Sequence, residues 1–113
     1  MDKLTHYRAL LRQFLQERAK LMNEHPVPGL ETLCLFDDEN NNYLVYNVGW
    51  PNGRRERYVT LLARLHEDKI WIEEDGTEEG LADLLVEAGI PKEDIVLAFH
   101  APEMRPYTEF AVA

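Results

Sequence analysis

The chain has 113 residues, with 45% hydrophobic and 29% charged, a composition that excludes a disordered or fibrous chain and fits one globular domain over residues 1–113. Its longest apolar run, Ile95 to Phe99, is far short of the roughly 20 residues that span a bilayer, so no membrane contact is expected. Asp2, Lys3, Arg8 and Arg12 interrupt the opening where a secretory signal would lie, and the single Cys34 excludes an internal disulfide, so a cytoplasmic location is expected.

The first 24 residues have helical period. Leu4, Tyr7, Leu11, Phe14, Leu15, Leu21 and Met22 fall on one stripe, Asp2 suits an N-cap, and Pro26 and Pro28 end the run. Arg18 sits near the middle of that stripe. Either its stem packs on the core with the head in water, or it pairs with a carboxylate of the sheet or of a partner.

From Thr32 the period becomes two. Leu33 and Leu35 alternate with Cys34 and Phe36, and Asp37 to Asn42 supply a turn. In the next strand Leu44, Tyr46, Val48 and Trp50 share one face, and Tyr43, Val45, Asn47 and Gly49 the other. Pro51-Asn52-Gly53 is a reversal. Val59, Leu61, Ala63 and Leu65 mark a third strand, and after Glu67-Asp68 a fourth runs from Lys69 to Glu73. Short turns between successive strands predict an antiparallel meander from about Thr32 to Glu74. Thr77 is the expected N-cap of a shorter helix carrying Leu81, Leu84, Leu85 and Ala88, which Gly89 closes. Ile95 to Phe99 reads as a fifth strand. The expected class is therefore α+β, a mostly antiparallel sheet with a long N-terminal helix and a second shorter helix packed on one face.

Charge is distributed unevenly. From Glu67 to Asp94 there are eleven acids against Lys69 and Lys92, which accounts for the whole net charge of −9. A protein that holds nucleic acid alone carries a basic stripe, so tight direct DNA binding by this chain alone is not expected. The basic patches are small: Arg54, Arg55 and Arg57 in one loop, and Arg8, Arg12 and Lys20 along the first helix. Each is either a solvated face or a contact made within a complex.

Catalytic chemistry finds no foothold. The six glycines are scattered, and His6, His25, His66 and His100 form no i, i+4 pair, so neither a phosphate loop nor a zinc site is indicated. Cys34 within a strand reads as an inert thiol. Adjacent carboxylates such as Glu73-Glu74 diverge rather than share a proton. No catalytic residue, metal or cofactor is expected. The last segment differs, because it gathers His100, Glu103, Arg105, Tyr107 and Glu109 between prolines. It either covers the core through Tyr107 and Phe110, or forms a contact surface in which Tyr and Arg are enriched anchors. The partner-binding candidates are Trp50, Arg54, Arg55, Arg57, His100, Arg105, Tyr107 and Glu109, expected on one surface that joins the tail from His100 to Glu109 to the nearby Trp50 to Arg57 loop.

Long stretches resemble one family. Asn47-Val48-Gly49-Trp50, Lys69-Ile70-Trp71-Ile72, Asp75-Gly76-Thr77-Glu78, the run from Leu85 to His100 and the close from Tyr107 to Ala113 are similar to the cyanobacterial XisI family, the fdxN-element excision controlling factors. The sequence departs from that pattern at Pro26 to Leu30 and at Ala63 to Asp68, which bears on a hairpin shape. The resemblance implies a regulator of site-specific DNA excision during heterocyst differentiation, acting with a XisH-like protein and the site-specific recombinase XisF. It implies no catalytic residue. The alternatives are a regulator or accessory subunit of a XisH-like nuclease unrelated to fdxN excision, and a weakly DNA-contacting enzyme accessory using His100 and Glu103. A second copy of this chain is a further expected partner.

Overall fold

The structure is a computed structural model that describes residues 2–113. Helix α1, Lys3–Glu24, begins where the Asp2 carboxylate accepts the Thr5 N–H at 2.8 Å. Tyr7, Leu11, Leu15 and Ala19 recur every fourth residue and are buried, while Leu4 and Phe14 pack at their margin. Leu21, expected on the apolar stripe, is half exposed, because at 100° per residue it lies about 100° from the centre of the buried arc. Arg18 follows the second reading in kind but not in partner: its Nη1 reaches Glu79 Oε1 at 3.0 Å, a carboxylate of the loop before α2 rather than of the sheet or of a partner, and its Nε is buried rather than in water.

Strands β1 (Leu30–Asp37), β2 (Asn42–Gly49), β3 (Glu56–His66) and β4 (Lys69–Asp75) form the predicted meander. Helix α2, Leu81–Glu87, then carries the chain across to β5, Ile95–Leu97, which pairs with β4 in parallel. A parallel pair needs such a crossover, since a tight turn cannot make one. Strand β5 stops at Leu97, short of the expected Phe99, which is half exposed. Both helices lie on one side of the sheet, where Tyr43, Val45, Leu61, Ala63, Leu65, Ile70 and Ile72 meet the buried residues of α1 and α2.

Local details depart from the period, among them a bulge at Glu73 in β4, since Leu62 pairs with Glu74 and Ala63 with Ile72. Thr60 is an extra residue in β3, since Val45 pairs with Leu61 and Tyr46 with Val59. This bulge reverses the side-chain alternation, so Val59 faces away from Leu61, Ala63 and Leu65 rather than with them. At α2, Thr77 is not the N-cap; Gly80 is, and the helix begins at Leu81. The Asp75 carboxylate takes over capping from a distance, accepting the Leu81 N–H at 2.7 Å through Oδ2 and the Thr77 hydroxyl at 2.6 Å through Oδ1. The β3–β4 turn, where the sequence departs from the family pattern, puts both Glu67 and Asp68 at positive φ. That is the two-residue geometry whose twist matches the strands it joins.

One polar seam crosses the core. Asn47, fully buried, accepts the Thr32 hydroxyl at 2.8 Å and donates to the Thr60 hydroxyl at 2.7 Å and the Tyr58 carbonyl at 3.3 Å. Asn23, in the last turn of α1, holds the Thr32 backbone at both its N–H and its carbonyl. The seam satisfies the bulge and ties three strands to the helix end. At the same end, a Cβ on Gly49 would stand 2.0 Å from the Gly29 carbonyl oxygen, so no other residue fits there.

Candidate partner-binding surfaces

Among the described residues, no three His, Cys, Asp or Glu side chains converge to hold a metal ion, and no helix is long and apolar enough to cross a membrane. Cys34 donates to the Leu15 carbonyl at 3.5 Å, and burial pushes its thiol pKa up, away from a reactive thiolate. His66 lies edge-on to the Trp71 ring and within 3.3 Å of Glu67. None of these groups forms a nucleophile and base pair.

The tail is built around Arg105. From the 3-10 helix Pro102–Tyr107, its guanidinium donates to the backbone carbonyls of His100, Ala98 and Val112 at 3.1, 3.2 and 3.4 Å. It also lies 5.5 Å from the centre of the Trp71 ring. Ala111 then bridges to Val96 alongside β5, and Lys92 pairs with Glu109 at 2.7 Å and holds that carboxyl below its ordinary range. With the backbone pinned in this way, Tyr107 is left 84% exposed, with Phe99 and Met104 also open to solvent. Tyr107 therefore does not cover the core; Phe110 packs there instead. His100 is exposed and tilted against Phe99.

The loop after β2 holds Trp50, Arg54 and Arg55, whereas Arg57, expected in that loop, lies in β3 opposite Val48. Trp50 is 62% exposed and Arg55 lies 5.8 Å from the centre of its ring; Arg54 and Arg57 are exposed beside them. The structure does not bring loop and tail together. The loop joins β2 to β3, the tail lies beyond β5, and β4 separates them in the sheet. The second basic patch is largely spent within the fold. Arg8 donates to the Tyr43 hydroxyl and to Asn41, and Arg12 pairs with Asp38, so both arginines staple α1 to the β1–β2 turn.

A third surface was not singled out from the sequence. On the side of the sheet turned away from the helices, register aligns Leu35 with Leu44 and Leu62, and Leu33 with Tyr46 and Val59. These six side chains are partly or largely open, Leu35 by 55%. The signal was present in β2, which is apolar on both faces although helices are available to cover only one.

A family model described as XisI protein matches residues 1–112. The crystal structure of the fdxN element excision controlling factor XisI from Anabaena variabilis ATCC 29413 is 38% identical, covers 99% of this chain and 100% of its own, and superposes with a TM-score of 0.87. A XisI-like protein from the same organism is 33% identical, covers 97% of this chain and 99% of its own, and reaches a TM-score of 0.90. No curated protein matches significantly.

Proposed function

The chain belongs to the XisI family, and from that premise we propose that it is a non-enzymatic regulator of site-specific excision of the fdxN DNA element during heterocyst differentiation. It acts by binding a XisH-like protein, the recombinase, or both. One observation carries this reading: Tyr107 stands almost fully exposed on a tail whose backbone Arg105 holds through three carbonyls. A side chain presented on an ordered backbone loses little entropy on docking, and tyrosine is among the residues that anchor interfaces. His100 and Glu109 flank that anchor. Trp50, Arg54 and Arg55 form a separate positive contact suited to an acidic patch. With a net charge of −9, the chain alone binds duplex DNA no better than weakly and non-specifically.

The test is copurification with the XisH-like partner. Tyr107→Ala should leave thermal stability unchanged, because the ring covers nothing, and weaken association at least tenfold, about 1.4 kcal/mol. Full retention of the partner by this variant removes the tail from the interface. Tight duplex binding by the pure protein at about 0.15 M salt, lost on changing Arg54, Arg55 and Arg57, makes it a direct DNA binder instead.

A further inference from the structure

The uncovered sheet face carries a pattern of charge as well as apolar area. Its two apolar rows, Leu35–Leu44–Leu62 and Leu33–Tyr46–Val59, are flanked at one end by Glu31, Val48 and Arg57 and at the other by Asp37, Asn42 and Arg64. At both ends the acid is on β1 and the base on β3. Glu31 and Arg57 are exposed, and among the described residues neither makes an ion pair in this chain. The β4 side of the same face is already occupied, because Trp71 lies under the guanidinium groups of Arg64 and Arg105.

We propose that this face is the docking site of a second copy of the chain, with the two-fold axis running parallel to β2. Two sheets that meet face to face through such an axis keep their strands aligned within about 30°. Strand β2 then lies on β2 of the second copy, and β1 on its β3. Glu31 meets Arg57 of the second copy; at the other end Asp37 faces its Arg64, which already pairs with Glu73 of its own chain at 2.9 Å, so the Glu31–Arg57 end carries the selection. The other in-plane axis, perpendicular to the strands, stacks β1 on β1 and β3 on β3. It sets acid against acid and arginine against arginine, so the charges select the first arrangement. The two arms Glu31 and Arg57 are long enough to absorb the angle between the sheets.

The shape suits this occupant. Leu35 (55% exposed), Val59 (36%) and the four partly open side chains between them form one continuous apolar patch bounded by the exposed charges Glu31 and Arg57, the apolar centre and charged rim of a protein interface. Left bare, a contiguous apolar patch on a sheet face is an aggregation liability. Nucleic acid gains nothing from its uncharged centre. An added β-strand docks on a sheet edge rather than on a face.

Sedimentation and light scattering of the purified protein at about 100 µM should report a dimer, and Tyr46→Glu a monomer. Arg57→Glu and Glu31→Arg, both at exposed positions that leave the fold intact, should each weaken the dimer at least tenfold. The double variant Glu31→Arg, Arg57→Glu should recover it, because each reversed charge again meets its opposite across the axis. A monomeric wild type at that concentration overturns the proposal, as does a dimer indifferent to Tyr46→Glu and Arg57→Glu. A double variant as weak as the single ones overturns the arrangement. A monomer whose sheet face is covered only when the XisH-like protein is added assigns the surface to that partner and also refutes the second copy. The partner reading of Tyr107 is scored separately by copurification, so the two stand or fall apart.

Discussion

The sheet has two apolar faces with different cover. On the helix side Val45, Ile70 and Ile72 are fully buried beneath Leu11 and Leu15. On the other side Leu33, Leu35, Leu44 and Tyr46, apolar residues of β1 and β2 in the same sheet, are partly or largely open. Composition alone does not decide what an apolar side chain contributes to stability. A residue stabilises the monomer by the area this chain itself removes from water, and the outer face is available to stabilise an assembly instead.

The sharpest way to break that comparison is to truncate one leucine on each side. Leu15→Ala should cost 2–5 kcal/mol in denaturant unfolding, from lost burial plus the cavity left behind. Leu35→Ala, measured at a protein concentration low enough to be monomeric, should cost under about 1 kcal/mol. Similar costs would mean that the outer face is covered within the monomer, contrary to its exposure. Next in size is the polar seam, which sits under the helix end where the apolar core gives out. Asn47→Ala leaves the Thr32 and Thr60 hydroxyls and the Tyr58 carbonyl short of partners, and each buried unpaired group costs about 1–3 kcal/mol. A loss of about 3 kcal/mol, with faster amide exchange around Thr60 than around Ile70, is the expected outcome.

These differences also mark what could be read in the chain. The period of four in α1, the turns at Asp37–Asn42 and Pro51–Gly53, and the proline and glycine punctuation are local signals, so the order of elements was legible from sequence. The Thr60 bulge was not, because an inserted residue is defined by the partner strand, and it moved Val59 to the opposite face. The Thr77 cap was misassigned for a related reason: Asp75 holds two oxygens where Thr77 offers one, and only the folded loop brings Leu81 within reach. Loop and tail were expected as neighbours, yet strand order sets them apart. The uncovered face was legible in principle, from a strand apolar on both sides in a sheet with helices for one.

The outer face itself divides, and Arg105 tests the division. On its β4 side this arginine covers Trp71 and gathers three tail carbonyls. Arg105→Glu should therefore loosen the tail at a cost of about 1–2 kcal/mol, with proteolysis appearing between His100 and Tyr107. The same change should leave the proposed dimer of the β1–β3 side intact. Loss of the dimer together with tail release would merge the two halves into one surface.

The smallest effect concerns the helix-covered face and appears with pH. Tyr7, buried at the start of α1, donates its hydroxyl to Asp94, which also pairs with Lys3 at 3.3 Å. Burial first, then that hydrogen bond and the Asp94 charge, raise the Tyr7 pKa well above its ordinary 10, and burial raises that of Tyr43 in the same direction. The folded chain thus keeps protons that the unfolded chain releases. Its stability from these groups is fully present below about pH 10 and falls as pH rises above that value, by at most about 1.4 kcal/mol per pH unit for each group. Tyr7→Phe should cost about 1 kcal/mol at neutral pH through the lost hydrogen bond and flatten the alkaline decline. Equally steep declines in wild type and variant between pH 9.5 and about 11.5 would mean that Tyr7 ionises as freely in the folded chain as in the unfolded one, and that the helix does not seal this edge of the covered face.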